Sequence, residues 1–563
     1  MPVLVKMKTW VRWAEVAGTP DTTPETYQAI LANYRRSSLL IACASVSVAL
    51  NLGVDGGTAA EQERATLWIP VLFPQEVVAK LQKLLSEGRI IFFQAQLRYL
   101  TSEVRRMPLV AEDGLPPIEN HQLGELLLRA GEMMFKPQEK LEDPLDSLAA
   151  EVAQCLPIYE IDSSTDPVYQ LVRFYIFLMV NIGRLKDSDR TFDVGVEFEK
   201  VYPFSLVMFC EFMFTFVTHA MTKRDDHSGY QQIDPSLPLS WFGKTKIDPQ
   251  LILKVFDSVG FSLETPNATG KRIGYADFEP LKRTPYFFFE NAIYCLDYDF
   301  ALGKLESNSL WTVLAFMSKE RGNAYLGFWG YVFEDYVAWM LETYAHPKKN
   351  VVYKCPIYED GSNEEICDVV VICGSTAVLI EAKLATCPVG IRYSGDHVKM
   401  KSFLEDKLVN GTERAAAVTQ LVRTIHKLAK EDQNAIPKWL RNIRKFISLI
   451  VTRDELGSCW GVNGYLNARF EAMIERKSCK GYCITPIVSM SISTLERAGN
   501  GLRKMELSKI VEDRIHNDEH MRRPFEAAST YVHRGTPRNL DKHIEIFGEL
   551  SKKTVADFGI VEG

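Results

Sequence analysis

The sequence has no apolar run long enough to span a membrane. Its two most apolar stretches, 174–182 and 204–217, fall short of the ~20 residues that a spanning helix needs, and Glu211 interrupts the second. Both stretches therefore predict buried core helices. The first residues also lack the basic and apolar layout of a secretory signal peptide, so we expect a cytoplasmic protein.

Several chemistries lack their sequence signatures. No Gly-rich loop ends in Gly-Lys-Ser or Gly-Lys-Thr, so intrinsic ATP hydrolysis is not expected. The 11 cysteines show neither zinc-site spacing nor an even-numbered framework, which favours free thiols. Positive charge is not in excess either, because the formal net charge is −7. Any nucleic-acid-binding surface must therefore be a local basic patch.

The 563 residues are enough for two to four domains at ~150 residues each. Residues 1–225 predict a mostly helical N-terminal domain. We expect it to bind a protein partner, to act as a sensor, or to form a homo-oligomer. Charged and turn-forming residues cluster around 223–240 and indicate a boundary. Residues 226–310 predict a mixed connecting region with a helix at 249–259 and short strands.

The pattern changes again from residue 311 and predicts an α/β domain over 311–545, with a mixed sheet and flanking helices. Asp360-Gly361 and Gly374-Ser375 separate three β-type runs and favour hairpins. The expected elements, in order, are a helix at 326–344, strands at 351–358, 366–373 and 376–383, a basic helix at 412–430, strands at 446–452 and 482–490, and a helix at 493–498.

Two of these strands contain isolated charged residues. Asp368 is the one charge beyond the first residue of Glu365-Ile-Cys-Asp-Val-Val-Val-Ile-Cys, and a buried carboxylate there needs a partner or a metal. Glu381 and Lys383 end the next strand on one face. If the hairpin brings the carboxylates together, Mg²⁺ or Mn²⁺ would suit these oxygen ligands. The alternative for Asp368 is an exposed strand end.

Glu-x-Lys alone is a weak signal, since it also occurs at Glu405–Lys407 and Glu475–Lys477. Its place one hairpin after an acid resembles the motif of the PD-(D/E)xK, or restriction-endonuclease-like, nuclease superfamily, over roughly residues 311–500. The resemblance implies a mixed sheet with flanking helices and a metal held by Asp368 and Glu381. It also implies that Lys383 orients the attacking water. The proline of the motif is replaced by Cys367.

Two further residues fit positions used in that superfamily. Glu334, in Gly330-Tyr-Val-Phe-Glu-Asp-Tyr-Val, matches an acid on the helix before the sheet and would assist the metal through water. The alternative is a solvated glutamate. Gln420 matches a glutamine on the helix after Glu-x-Lys that some exonucleases of the superfamily carry, although Thr424 replaces their usual tyrosine. A merely solvated glutamine is its alternative.

The segment 392–447 is locally basic, with twelve Lys and Arg against six Asp and Glu, a balance of +6. Phosphate contacts require such a patch, although a solvated basic helix would have the same composition. The candidate nucleic-acid contacts are Lys399, Lys401, Arg414, Arg423 and Lys427.

These features together predict a metal-dependent nuclease, and the resemblance favours DNA over RNA. A large N-terminal region joined to such a domain is similar in layout to prokaryotic effectors of defence against phage or plasmid. The alternative is a non-catalytic nucleic-acid-binding or scaffold protein with the same fold.

Overall fold

The structure is a computed structural model. It describes residues 11–51, 67–92, 94–108, 112, 114–134, 141–158, 167–177, 192–225, 234–265, 273–274, 276–411, 416–430, 435–515 and 541–559. The architecture is α/β, with a helical N-terminal region and two sheets, as the sequence predicts.

Residues up to 225 form helices in the described segments. Their starts follow local chemistry: the Thr23 hydroxyl accepts a hydrogen bond from the Thr26 N–H, and Pro24 occupies the first helical position. The bounds of the helices in this region are Trp13–Ala17, Pro24–Leu31, Arg36–Asn51, Gln75–Ser86, Gln94–Arg106, Asn120–Met134, Pro144–Cys155, Pro167–Tyr175, Val194–Glu199 and Leu206–Asp225.

The apolar stretch 204–217 lies mainly in helix Leu206–Asp225, where Phe209, Phe212 and Met213 are buried in the core, as expected for a core helix. Of the stretch 174–182, residues 178–182 lie outside the described residues. Within the described ranges, no helix has both the length and the apolar character needed to cross a bilayer.

The predicted connecting region contains a small mixed sheet. Its strands are β1 (Ser236–Pro238), β2 (Gly260–Ser262), β3 (Tyr286–Phe289) and β4 (Ala292–Cys295), in the order β1-β4-β3-β2. The hairpin between β3 and β4 turns through Glu290 and Asn291, which both have positive φ, as a tight two-residue turn requires. The helices around this sheet are Leu239–Phe242, Pro249–Val259, Glu279–Arg283 and Tyr298–Glu306.

The C-terminal sheet contains six strands. They are β5 (Val351–Lys354), β6 (Val369–Cys373), β7 (Thr376–Lys383), β8 (Lys445–Thr452), β9 (Cys483–Ile484) and β10 (Val488–Ser491). The order is β10-β8-β7-β6-β5, and β9 also pairs with β8. Strands β5, β6 and β7 form the expected antiparallel meander, whereas β8 runs parallel to β7 and β10.

Two long helices cover opposite faces of this sheet. Helix Lys319–Tyr344 packs its apolar stripe, including Trp329, Phe333 and Val337, into one core together with Val378 and Ile380 of β7. Helix Ala417–Lys430 packs into a second core with the alternate residues of β7, Ala377 and Leu379. The remaining helices here are Val313–Ala315, Val389–Arg392, His397–Leu404, Val462–Met473, Ile492–Leu502, Leu507–Ile515 and Asp541–Phe558.

Packing does not follow the predicted boundary at residue 225. Helix Pro144–Cys155 belongs by sequence to the N-terminal region, but Val152 and Ala153 are buried in the same core as helix Ala417–Lys430. Helix Asp541–Phe558 in turn packs against helices Pro167–Tyr175 and Leu206–Asp225. A helix from before the predicted boundary thus packs with the C-terminal sheet domain, and the last described helix packs with the N-terminal helices.

Candidate active site

The register of the β6–β7 hairpin places Asp368 across from Glu381. Val369 pairs with Ile380 and Val370 with Leu379, so continuing the ladder by one residue matches Asp368 with Glu381. Side chains directly opposite each other on an antiparallel pair share a face and have Cβ atoms ~5 Å apart. The predicted juxtaposition of these two carboxylates is therefore present.

Asp368 lies just before β6 instead of inside the predicted strand 366–373. Its Oδ2 accepts a hydrogen bond from the Ala382 N–H at 2.7 Å, in place of a backbone carbonyl. The ladder ends at Val369 for this reason, and the carboxylate is fixed against β7. Asp368 is 8% exposed, which argues against the exposed strand end that was its alternative.

Lys383 lies beside both carboxylates. Its Nζ is 2.5 Å from Glu381 Oε2 and 3.7 Å from Asp368 Oδ2. Burial opposes the charge on Lys383, but Glu381 and Asp368 outweigh it and hold the pKa of Lys383 above its usual value. The ammonium group therefore stays protonated, and its side chain is still 21% exposed, so it can reach a bound molecule.

Glu381 is the most deeply buried member of the group, at 2% exposed. Burial raises the pKa of Glu381 to about 8, with Lys383 acting against the shift and Asp368 adding to it. If both carboxylates were ionised, their negative charge would exceed the one ammonium charge, and the raised pKa of Glu381 reflects the proton that relieves this excess. A cation between the carboxylates would remove that excess.

Glu334 reaches the same group from helix Lys319–Tyr344. The pKa of Glu334 is raised to about 8. Burial is the largest cause, and the negative charge of Asp368 is the second. Glu334 is half-buried and not the solvated glutamate that was its alternative, whereas the next residue, Asp335, forms an ion pair with Lys354. The structure thus places Glu334 in the electrostatic environment of Asp368, Glu381 and Lys383.

The donor chemistry fits a hard divalent ion such as Mg²⁺ or Mn²⁺. Asp368 and Glu381 offer carboxylate oxygens from two adjoining strands, and such ions take oxygen ligands and keep several waters. Within the described ranges, however, no three Asp, Glu, His or Cys side chains are close enough to bind one ion directly. The predicted role of Glu334 through a metal-bound water is compatible with this geometry and stays a prediction.

Gln420 lies on helix Ala417–Lys430, which packs against β7. Its Oε1 is buried and has no hydrogen-bond partner in the described part of the chain. No hydrogen bond joins its side chain to Lys383 among those residues. The structure therefore brings Gln420 to the correct side of the sheet without placing it in the Asp368–Glu381–Lys383 group.

The predicted basic patch is partly neutralised by acidic neighbours. Lys401 Nζ lies 2.7 Å from Asp146, and Lys427 Nζ lies 2.7 Å from Glu364 and 3.2 Å from Asp360. Lys399 pairs with Asp396 on its own helix, at 3.3 Å. Arg423 is exposed, and Arg414 lies outside the described residues. Of the five predicted contacts, Arg423 has no ion-pair partner among the described residues.

One cation near the site was missed by sequence reasoning. Arg453 directly follows β8, and its backbone N–H donates to the Lys383 carbonyl at 3.2 Å. The guanidinium of Arg453 forms an ion pair with Glu306 and donates to Thr386 Oγ1 at 3.3 Å. The available signal was its position at the end of an apolar strand parallel to β7. Arg453 is therefore an additional candidate for contacting a phosphate at this edge.

Comparison with known proteins identifies no relative: no protein-family model, curated protein or solved structure matches the chain.

Proposed function

We propose that this chain is a metal-dependent nuclease of the PD-(D/E)xK type. One observation carries the proposal: Asp368 and Glu381 face each other across a strand pair, with the Lys383 ammonium within 3.7 Å of both. The motif is thus a spatial cluster as well as a sequence pattern. The exposed Glu475–Lys477 pair has the same spacing but no acid opposite it among the described residues.

Each residue has a role that follows from its position. Asp368 and Glu381 would hold Mg²⁺ or Mn²⁺, and Glu334 would hold a water of that ion. When bound, the ion supplies Lewis-acid activation of water and neutralises charge on the phosphate. Lys383 keeps its proton, so it orients the attacking water and stabilises charge that develops on phosphate. Gln420 would support Lys383 or the phosphate after a change of side-chain rotamer.

DNA remains the proposed substrate ahead of RNA, on the strength of the motif resemblance. The nucleic-acid contacts we propose are centred on Arg423, which has no ion-pair partner among the described residues, and on Arg453, which adjoins the end of β7 although it is paired with Glu306. The helical N-terminal region is proposed as a partner, sensor or oligomerisation module. We also propose a role in prokaryotic defence against phage or plasmid, because defence effectors share the arrangement of a large N-terminal region followed by such a domain.

A cleavage assay tests the proposal. Native protein, Lys383→Ala and Lys477→Ala would be incubated with plasmid, linear DNA and RNA in the presence of Mg²⁺, Mn²⁺ or EDTA. We expect the native protein and Lys477→Ala to cleave in either ion, and Lys383→Ala to lose ~100-fold or more, as for removal of one group that stabilises transition-state charge.

Two results would overturn the proposal. One is no cleavage of any substrate by the native protein in either ion, which would favour the non-catalytic binding alternative. The other is cleavage by Lys383→Ala at the native rate. Glu381→Gln keeps the size of the side chain but removes its charge. Because this variant should still fold, its loss of cleavage would show that the effect does not arise from misfolding.

A further inference from the structure

A cavity of about 550 Å³ lies in the helical region, away from the acidic cluster. Small-molecule sites typically enclose ~300–1,000 Å³, so the volume suits one ligand of nucleotide size. Its wall is formed by the end of helix Pro24–Leu31, the start of helix Arg36–Asn51, residues around Pro108, and Leu263 beyond β2. Most of the wall is apolar, including Met107, Leu115 and Leu263.

Two buried arginines distinguish this cavity from a simple packing defect. Arg36 is part of its wall and is 4% exposed, whereas Arg105, which is 3% exposed, lies outside the wall and contacts Arg36 through its backbone carbonyl. The Nη2 of Arg36 makes one long hydrogen bond to the Arg105 carbonyl, at 3.4 Å. Burial, followed by the charge of Arg36, lowers the pKa of Arg105, so the two buried charges are close enough to repel each other, and an anion near them would relieve this repulsion.

Most of the donor capacity of these guanidinium groups is unused. Nε and Nη1 of both arginines are buried and have no hydrogen-bond partner in the described part of the chain. Arg105 donates once, from Nη2 to Thr284 Oγ1 at 2.8 Å, and stacks on the Phe261 ring. Buried polar groups are normally satisfied, so the unpartnered nitrogens of Arg36 at the cavity wall call for acceptors that the described residues do not provide.

The nearby carboxylate does not supply those acceptors. Glu112 lines the same cavity, but its two oxygens accept from the backbone N–H and the hydroxyl of Ser37, at 2.9 and 2.5 Å. Glu112 therefore caps the start of helix Arg36–Asn51. The local charge remains positive, with two guanidinium groups and one carboxylate.

We propose that this cavity binds an anionic small molecule whose oxyanion group is held by Arg36, with the buried positive charge of Arg105 close by, and whose apolar body fills the remaining space. Guanidinium groups match phosphate and carboxylate oxygens with paired, charge-assisted hydrogen bonds. The apolar wall and the ring of Tyr34 suit a planar, weakly polar body such as a nucleobase. The site does not depend on the proposed nuclease activity, because the two share no residue.

Binding to the full-length chain in EDTA tests the proposal, since EDTA prevents metal-assisted binding of phosphate at the acidic cluster. Calorimetric titrations would use adenosine 5′-monophosphate, adenosine, inorganic phosphate and malonate up to about 10 mM. We expect the monophosphate to bind at least ~tenfold more tightly than adenosine, because only the former carries the oxyanion. Malonate tests whether a carboxylate can replace the phosphate, and its binding at Arg36 would equally support an oxyanion site.

Arg36→Met supplies the decisive variant and Arg476→Met, in the C-terminal domain, the control. We expect Arg36→Met to lose the binding and the control to retain it. The melting temperature of ligand-free Arg36→Met should not fall, because the lost side chain makes a single, long hydrogen bond to the described residues. Absence of binding by every probe, equal binding of adenosine and its monophosphate, or undiminished binding by Arg36→Met would overturn the proposal.

Discussion

Replacing Glu381 by glutamine tests how burial shapes the acidic cluster. The raised pKa of Glu381, about 8 against an ordinary value of 4.5, means that the folded chain holds a proton that the unfolded chain releases. Between these two values the folded state binds more protons, so stability falls as pH rises. Glutamine keeps the size of the side chain and does not ionise. The free energy of unfolding of the variant should therefore increase relative to that of the native chain as the pH rises.

The magnitude follows from the linkage slope. One proton contributes about 1.4 kcal/mol per pH unit, and pH 6 to pH 8 spans two units below the pKa of Glu381, so the gap should grow by about 3 kcal/mol. Above the pKa the gap should level off. Burial, the largest cause of the raised pKa of Glu334, remains in the variant, so Glu334 does not reverse this direction.

Urea unfolding in EDTA at pH 6 and pH 9 measures the gap, with tryptophan fluorescence as the signal because Trp329 and Trp339 lie on the helix of Glu334. Glu475→Gln is the matched control, since Glu475 is exposed in the same Glu-x-Lys spacing. Added Mg²⁺ at ~100 times its Kd should restore about 3 kcal/mol to the native chain at pH 9, and less to Glu381→Gln. A gap between variant and native chain that stays constant or shrinks from pH 6 to pH 9 would refute the reasoning.

Three further predictions concern other parts of the molecule. Glu334→Gln should slow cleavage of linear DNA by ~10–100-fold with an unchanged circular dichroism spectrum, as for other groups that act on a metal through water; an unchanged rate would exclude that role. Arg98→Met should cost ~3–5 kcal/mol in thermal unfolding, because Asp297 and Asp299 would stay buried without their partner; a cost below 1 kcal/mol would contradict the buried ion triad. Leu156→Ala should cost ~2–5 kcal/mol, since Leu156 lies in the core of the C-terminal sheet. A cost below about 0.5 kcal/mol, as for a surface position, would mean that this segment does not pack against the C-terminal sheet.

The order of elements around the site could be read from the sequence because alternation and turn chemistry act locally. Strand β7 has the predicted bounds, and Gly374, with φ of 61°, makes the expected turn before it. The long helix begins at Lys319 and not at residue 326, because Ser318 caps it seven residues earlier. The presence and type of these elements were thus predictable from the sequence, whereas the start of the long helix depended on its Ser318 cap.

Two other differences have specific physical causes. The predicted strand 482–490 is two strands, β9 and β10, with Pro486 between them, and proline cannot donate to a ladder. The predicted strand 366–373 begins at Val369, because the Asp368 side chain accepts the Ala382 N–H. In the second case the strand is shorter than predicted at a proposed functional residue, because a side-chain hydrogen bond of Asp368 takes the place of strand pairing there.

Contacts between distant segments could not be read from the sequence. The docking of helix Pro144–Cys155 beside helix His397–Leu404 joins segments about 250 residues apart, and its ion pair between Asp146 and Lys401 offsets the charge of a predicted phosphate contact. A count of basic residues cannot reveal such neutralisation, because the partner lies far away along the chain. The buried arginine pair at the cavity was missed for the same reason.

The account rests on one divalent ion between Asp368 and Glu381, and a crystal soaked in Mn²⁺ measures this directly. We expect an anomalous-scattering peak that contacts an oxygen of each carboxylate at ~2.0–2.3 Å, with Lys383 Nζ displaced from Glu381 and Glu334 reaching a bound water. The same soak of Glu381→Gln should show no such peak. A native crystal with no peak between these two side chains, at a manganese concentration that supports cleavage, would contradict the account.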